Sequence, residues 1–257
     1  MSDNDIWTLY EHPLNERVRV LLRLEHLFRQ MLHFHQGSSP WDSRMMITTL
    51  FDVLNLFSRA DLKTEIIKEV ERANNSFAAL IENPHVDTSR LSTVLKALRH
   101  ITNNLHAMTG QIGQSLRDNP FLTSIRQRSS IPGGTCEFDL PSYHLWLQHP
   151  LEIRHRDQGA WLKELEPINQ AVELLLKLIR NSSEITPCRA DNGQYQQSLE
   201  SDRPYQLIRV FLPQHIDYFP EVSGSRHRFT IRFIGIKGEG PISHAQPTSF
   251  RLAICML

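Results

Sequence analysis

Apolar residues in the first hundred positions recur at three- and four-residue steps, the period of one helical face. Leu14, Val18, Leu21, Leu24, Leu27, Phe28 and Met31 form one such stripe, with Pro13 suited to its first turn. Gly37–Ser38–Ser39–Pro40 interrupts it, and a second helix is predicted over 41–58, with Leu50, Val53, Leu54 and Phe57 on one side. Asp61 can cap a third helix carrying Leu62, Ile66, Val70, Ala73, Phe77 and Leu80, which Asn83–Pro84 ends. Asp87 can cap a fourth, with Leu91, Val94, Leu95, Leu98 and Leu105. Long helices joined by short links pack antiparallel.

The pattern changes at Asn119–Pro120. A short helical piece over 121–128 leads into the turn signal Ile131–Pro132–Gly133–Gly134. Cys136, Phe138 and Leu140 then alternate with Glu137 and Asp139, a period of two that predicts a half-buried strand up to Pro141. A last long helix is predicted over 156–182, with Trp161, Leu165, Ile168, Val172, Leu175, Leu176 and Ile179 as its stripe. The polar, turn-prone stretch 188–203 reads as a mobile loop. Residues 205–212, 226–233 and 248–256 read as strands. The predicted fold class is α+β. A helical domain takes 5–118 with 154–182, and a smaller, mainly antiparallel β-sheet domain takes 119–153 with 183–257.

Composition narrows the function. The chain has 257 residues, 40% apolar and 22% charged, which is ordinary globular usage. Its 28 basic residues balance 28 acidic ones, so binding nucleic acid through bulk charge starts at a disadvantage. Cys136, Cys188 and Cys255 are far apart and odd in number, and read as reduced thiols rather than a disulfide framework or zinc site. Met1 to Tyr10 lacks a basic start with an apolar run, so no secretory leader is expected. No segment approaches the roughly 18 apolar residues that span a bilayer, so any membrane association is expected to be indirect.

The richest segment for chemistry is Arg226–His227–Arg228–Phe229–Thr230–Ile231–Arg232–Phe233. Strand alternation puts Arg226, Arg228, Thr230 and Arg232 on one face and His227, Phe229, Ile231 and Phe233 on the other. The second face suits a core. The first lines three guanidinium groups over roughly 20 Å, and no acid occurs between Glu221 and Glu239. Charged side chains also guard ordinary edge strands, so a solvated face is the competing reading. The single sign favours an anionic partner, because like charges on one face repel until one arrives. Arginine's planar fork matches a carboxylate with two bonds. RNA-binding sheets expose aromatics beside their basic residues, and here Phe229 and Phe233 point away, so a carboxylate-bearing protein segment is favoured and single-stranded nucleic acid is the alternative.

Enzymatic readings are weaker, and no catalytic residue, cofactor or metal is expected. His33 and His35 lie two apart on a helix and do not share a face, and His144, His149 and His155 match no standard zinc spacing. The Gly133–Gly134–Thr135–Cys136 turn looks superficially like a nucleophile loop, but it implies no neighbouring base. Arg126–Gln127–Arg128 suits a solvated helix end.

Several stretches, in order over nearly the whole chain, resemble the ZapD family. They are Tyr10–Glu11–His12–Pro13–Leu14–Asn15–Glu16; Ile125–Arg126–Gln127–Arg128–Ser129–Ser130–Ile131–Pro132–Gly133–Gly134; Phe138–Asp139–Leu140–Pro141; and Ser223–Gly224 followed by Arg228–Phe229–Thr230–Ile231–Arg232–Phe233. The resemblance implies a non-enzymatic, cytoplasmic cell division factor at the mid-cell division ring. Such a protein is a homodimer joined mainly through its helical domain, and it crosslinks FtsZ protofilaments into bundles. It binds the acidic and apolar C-terminal tail of FtsZ in a basic pocket. By motif alignment the resemblance implies Arg228 and Arg232, and Arg59 at the end of the second helix, as tail-binding residues. Arg226 sits one position out of step with a further basic site. The segments 186–203 and 235–246 depart from the family pattern.

Overall fold

The computed structural model describes residues 7–58, 62–214, 216–225, 227–237 and 240–257, the side chains of 236, 237 and 241 excepted. The chain divides into two compact units, residues 21–175 and residues 1–20 with 176–257. An α+β arrangement is therefore observed, with helices dominating one unit and antiparallel strands the other.

The elements begin with β1 (Trp7–Pro13), α1 (Glu16–His35), α2 (Pro40–Leu56), α3 (Leu62–Ala78) and α4 (Thr88–Ala107). They continue with α5 (Gln114–Asp118), α6 (Pro120–Ser129), α7 (Pro141–Gln148) and α8 (Leu151–Arg180). The remaining strands are β2 (Thr186–Ala190), β3 (Gln194–Ser198), β4 (Tyr205–Pro213), β5 (Tyr218–Gly224), β6 (Arg228–Lys237), β7 (Gly240–Ser243) and β8 (Thr248–Met256).

The helical starts follow local chemistry. Ser39 and Asp42 form a capping box around Pro40 at the start of α2, and Asp87 accepts from the amides of Ser89 and Arg90 at the start of α4. Asp61, the expected cap of α3, lies outside the described residues. Leu24, Met31, Leu50, Val53, Leu98 and Leu105 are among the side chains buried in this unit, as the periodicity predicts. A charged arginine is buried among them. Arg154 donates to the carbonyls of Ser38 (2.8 Å), Ser39 (3.1 Å) and His149 (3.2 Å), so it fastens the α1–α2 link to α8.

The expected strand over 133–141 is not formed, and the whole stretch 119–153 falls as helices and turns in the 21–175 unit. The backbone there is satisfied locally. The Gly134 amide donates to the Ile131 carbonyl, that of Cys136 to Gly133 and that of Leu140 to Cys136, at 2.9–3.1 Å, so groups that a ladder would use are already engaged in turns. Gly133 supplies the positive φ of +73° that starts this turn. The alternation was coincidental: Phe138 is 82% exposed while Leu140 is buried. Residues 141–148 are helical because Tyr143, Trp146 and Leu147 turn one face inward, toward rings of Phe121 and Trp161. The Trp146 indole also donates to Asp157 at 3.0 Å on α8, which begins five residues before the predicted start at 156.

Pro13 closes β1 rather than opening a helix. Asn15 caps α1 instead, accepting from the Val18 amide at 2.9 Å.

The second unit is a β-sandwich. One sheet has the order β1-β4-β8-β2; the other has β3-β6-β5, with β7 also paired to β6. All these pairings are antiparallel. Between the sheets lie Ile208, Val210 and Leu212 of β4, Phe229, Ile231 and Phe233 of β6, and Phe250 and Leu252 of β8. On the other face of the first sheet, Glu11 of β1 bonds both Arg180 at the end of α8 (2.6 Å) and Arg209 of β4 (3.0 Å). These three side chains keep only 14–17% of their surface, so the cluster ties β1, β4 and the helix end together.

The polar stretch expected as a loop supplies β2 and β3. They are joined by Asp191–Asn192–Gly193–Gln194, in which Asn192 (φ 51°) and Gly193 (φ 69°) both take positive φ. That is the signature of the tight hairpin turn that Asn-Gly favours.

Candidate partner-binding face

β6 is the middle strand of its sheet. Its alternation is the one expected: Phe229, Ile231 and Phe233 are almost wholly buried, while Arg228 and Arg232 are exposed. Hydrophobic burial on one side thus fixes which side carries the guanidinium groups, because a one-residue slip would bring arginines into the core. Arg228 and Arg232 stand four residues apart, about 13 Å along the strand. His227 departs from the expectation. It precedes the strand and is exposed, so it adds nothing to the core. Arg226 and Arg59 lie outside the described residues.

Register places the neighbours. On β3, Ser198 stands opposite Arg228, Gln196 opposite Thr230 and Gln194 opposite Arg232. On β5, Ser223 stands opposite Thr230, Glu221 opposite Arg232 and Phe219 opposite Ile234. Residues directly opposite share a face. The solvent face is therefore basic and neutral-polar toward β3, and acidic and apolar toward β5, where Phe219 and Ile234 are half-buried.

Two features of this face were not foreseen. The run from 222 to 238 contains no acid, yet Glu221 itself folds back across the hairpin and binds Arg232 at 2.8 Å. Both side chains stay more than half exposed, so the contact is a weak, screened one. Arg228 makes no ion pair among the described residues and is the less compensated of the two. Phe219 was also overlooked, since its strand lies outside the arginine-rich segment. The spacing of a β5–β6 hairpin that turns after Ser223–Gly224 is the signal that finds both.

β3 is held in place from its other side. Tyr195 points inward, with its ring 5.3 Å from that of Phe250 and 6.3 Å from that of Phe229. Its hydroxyl donates to Gln197 at 2.8 Å. Burial, then the neighbouring Cys188 thiol, pushes the phenol up to about 12, so it remains a neutral donor at any physiological pH.

The other candidates assemble no site. Cys136 is half-buried with Sγ 3.5 Å from Asp139 Oδ2, and Arg128 at the end of α6 lies 3.6 Å from Asp139. His144 is on α7, His149 at its C-cap and His155 on α8, where it bonds the Gly37 carbonyl. Among the described residues no group of three or more His, Cys, Asp or Glu could hold a metal ion, and no helix is long and apolar enough to cross a membrane.

Comparison with known proteins gives this face a context. The ZapD family profile, described as a cell division protein, matches residues 22–232. A protein of Methylococcus capsulatus named cell division protein ZapD is 40% identical over 250 residues, covering 97% of this chain and 98% of that protein. One of the same name from Ralstonia pickettii is 41% identical over 251 residues, covering 96% and 98%. Another from Chromobacterium violaceum is 39% identical over 248 residues, covering 96% and 98%. Likeness over essentially the full length of these relatives, in addition to the profile match, means that the chain belongs to the ZapD family of cell division proteins.

Proposed function

We propose that this protein is a non-enzymatic, cytoplasmic factor of the mid-cell division ring that binds the acidic C-terminal tail of FtsZ. The observation that carries this reading is the exposed pair Arg228 and Arg232 on a strand whose opposite face is locked into the core. Guanidinium forks there meet tail carboxylates and set orientation and on-rate. Phe219 and Ile234, on the same face, offer contact area to the tail's apolar residues. Arg59 and Arg226 are assigned to tail binding by the same reading. As a homodimer joined through its helical part, the protein carries two such sites and crosslinks protofilaments into bundles. The exposed Trp41, Phe138 and Leu145 of the 21–175 unit support a protein interface there. Each tail contact can be weak, because tails arrayed along a filament raise the effective concentration of the second contact. Membrane association is indirect, through the ring.

The test is co-sedimentation with FtsZ filaments. A folded, dimeric Arg228→Glu/Arg232→Glu variant loses bundling, and FtsZ without its tail is not bundled by the wild type. Bundling unchanged by the double substitution would sink the assignment. Binding falls as salt rises, since exposed charges are screened over about 8 Å at physiological ionic strength.

One observation favours a second reading. Phe219 beside the arginines could stack a base, as single-stranded nucleic-acid binders do. Glu221 on the same face opposes a phosphate backbone. Titration with a labelled oligonucleotide at physiological salt separates the two.

A further inference from the structure

The outer face of the β1-β4-β8-β2 sheet is only half covered. Its inner face gives Ile208, Val210, Leu212, Phe250 and Leu252 to the core, so alternation sends Trp7, Leu9, Phe211 and Arg251 outward. The end of α8 lies over one half of that outer face. There the Arg180 carbonyl accepts from Arg209 at 3.3 Å and lies 3.9 Å from Cys255 Sγ. Over the other half, register sets Leu9 opposite Phe211 and Phe211 opposite Arg251, a continuous strip across three strands. Leu9 is 40% exposed, Arg251 is exposed, and Trp7 and Phe211 are half-buried. A lone exposed leucine is ordinary, whereas aromatic and apolar side chains contiguous with an arginine have the composition of an interface centre.

Arg251 is the ordered charge of this strip. Its side chain crosses β4 to place the guanidinium 4.2 Å from the centroid of the Trp7 ring on β1. Held there by the ring's negative face, it loses less freedom on binding than a loose arginine would. Arg251 makes no ion pair among the described residues. On the same face Glu11 already holds Arg180 and Arg209, and Arg189 of β2 has Asp191 at 4.0 Å. The strip thus offers apolar area and a positioned cation with no acid of its own to answer it.

The same contacts argue against two occupants. Bases stack on open rings, but Arg251 lies over Trp7 and Arg209 lies over Phe211 at 5.1 Å, so both ring faces are taken. A second copy seated symmetrically on its own strip would bring Arg251 toward Arg251. We propose that the strip docks an acidic amphipathic helix of another protein, its apolar stripe on Leu9 and Phe211 and its carboxylates at Arg251. A helix is the element that covers a sheet face, as the end of α8 does beside it. Its diameter of about 10–12 Å matches three strands spaced about 4.8 Å apart. Guanidinium–carboxylate bonds select the acidic helix, and the apolar contact supplies area. The strip belongs to the other sheet from Arg228 and Arg232, so the proposal stands apart from tail binding.

The probe is a capped helical peptide of about 16 residues, with leucines at i, i+4, i+7 and i+11 and glutamates flanking them. Its twin carries lysines in place of the glutamates. Methyl NMR on the full chain reads the Leu9 signal, with Leu145, exposed on the other unit, as the reference. The glutamate peptide shifts Leu9 saturably below about 1 mM and leaves Leu145 in place. Arg251→Gln weakens that binding roughly three- to tenfold. Arg251→Glu weakens it about tenfold or more and admits the lysine peptide, an exchange of preference that a merely structural arginine would not give. A Leu9 signal unmoved by about 1 mM glutamate peptide overturns the proposal whatever the variants do, and so does equal binding of the two peptides. A Leu9 shift produced by a labelled oligonucleotide and not by the glutamate peptide overturns it in favour of nucleic acid. A shift that appears on concentrating the protein alone overturns it in favour of a second copy.

Discussion

Glu221 is the residue whose removal should improve this protein. Its carboxylate sits 2.8 Å from Arg232 and directly opposite it in register, so a ligand carboxylate at Arg232 must displace it. Glu221→Gln keeps the shape and removes the charge. An exposed ion pair of this kind is worth about 0.2–1 kcal/mol, and ligand binding no longer has to break it. A ligand carboxylate about 6 Å from Glu221 would also meet a repulsion near 0.7 kcal/mol in water, roughly halved by screening at physiological salt. The sum, about 0.5–1.3 kcal/mol, is a gain in tail affinity of roughly two- to ninefold. Fluorescence anisotropy with a labelled tail peptide measures it, at 0.15 M salt and again at 1 M salt, where the screening length shrinks to about 3 Å and the gain should fade. A thermodynamic cycle with Arg232→Gln isolates the cause: in that background Glu221→Gln should gain little. Equal or weaker binding by Glu221→Gln, or a gain that survives without Arg232, would refute this account of the face.

Two further predictions concern the sandwich that presents this face. Glu11→Ala removes the counter-charge between Arg180 and Arg209, two guanidinium groups that keep only 17% and 15% exposure. It should destabilise the protein by about 2–4 kcal/mol, a little below a fully buried pair, in urea denaturation; a loss under about 1 kcal/mol contradicts the anchoring role. His12 has its pKa lowered from 6.5, first by burial and then by the positive Arg19. Below pH 6.5 the unfolded chain therefore takes up a proton that the folded chain still refuses, and stability falls until the pH has passed the lowered folded value. Denaturation midpoints at pH 7.5 and 5.5 should diverge less for His12→Gln than for the wild type; an equal divergence removes His12 as the cause.

The reach of the sequence differs from element to element. Long amphipathic helices declare themselves, because only a helix gathers apolar residues spaced 3.6 apart onto one face over four or five turns, and caps such as Asp87 mark their starts. The strand β6 was equally legible: alternating Arg and aromatic or branched residues leave one register that buries Phe229, Ile231 and Phe233. Short alternations are weaker. Cys136–Phe138–Leu140 has the period of a strand, but the glycine turn before it lets the backbone satisfy itself within four residues, and Phe138 ends in solvent. Asn192–Gly193 was the opposite case, a hairpin signal inside a stretch too polar to read as strands.

The sequence by itself therefore determined the α+β class, the helical stripes, and which side of β6 carries Arg228 and Arg232. Local periodicity and the cost of burying a charge decide those questions without any partner. Only the tertiary structure decided what stands beside the arginines. Glu221 and Phe219 arrive from β5, and Gln196 and Ser198 from β3, through strand register. Register depends on pairing between strands many residues apart, and no pattern within a single strand encodes it. For that reason the arginine strand could be read from the chain, whereas its acidic competitor could not.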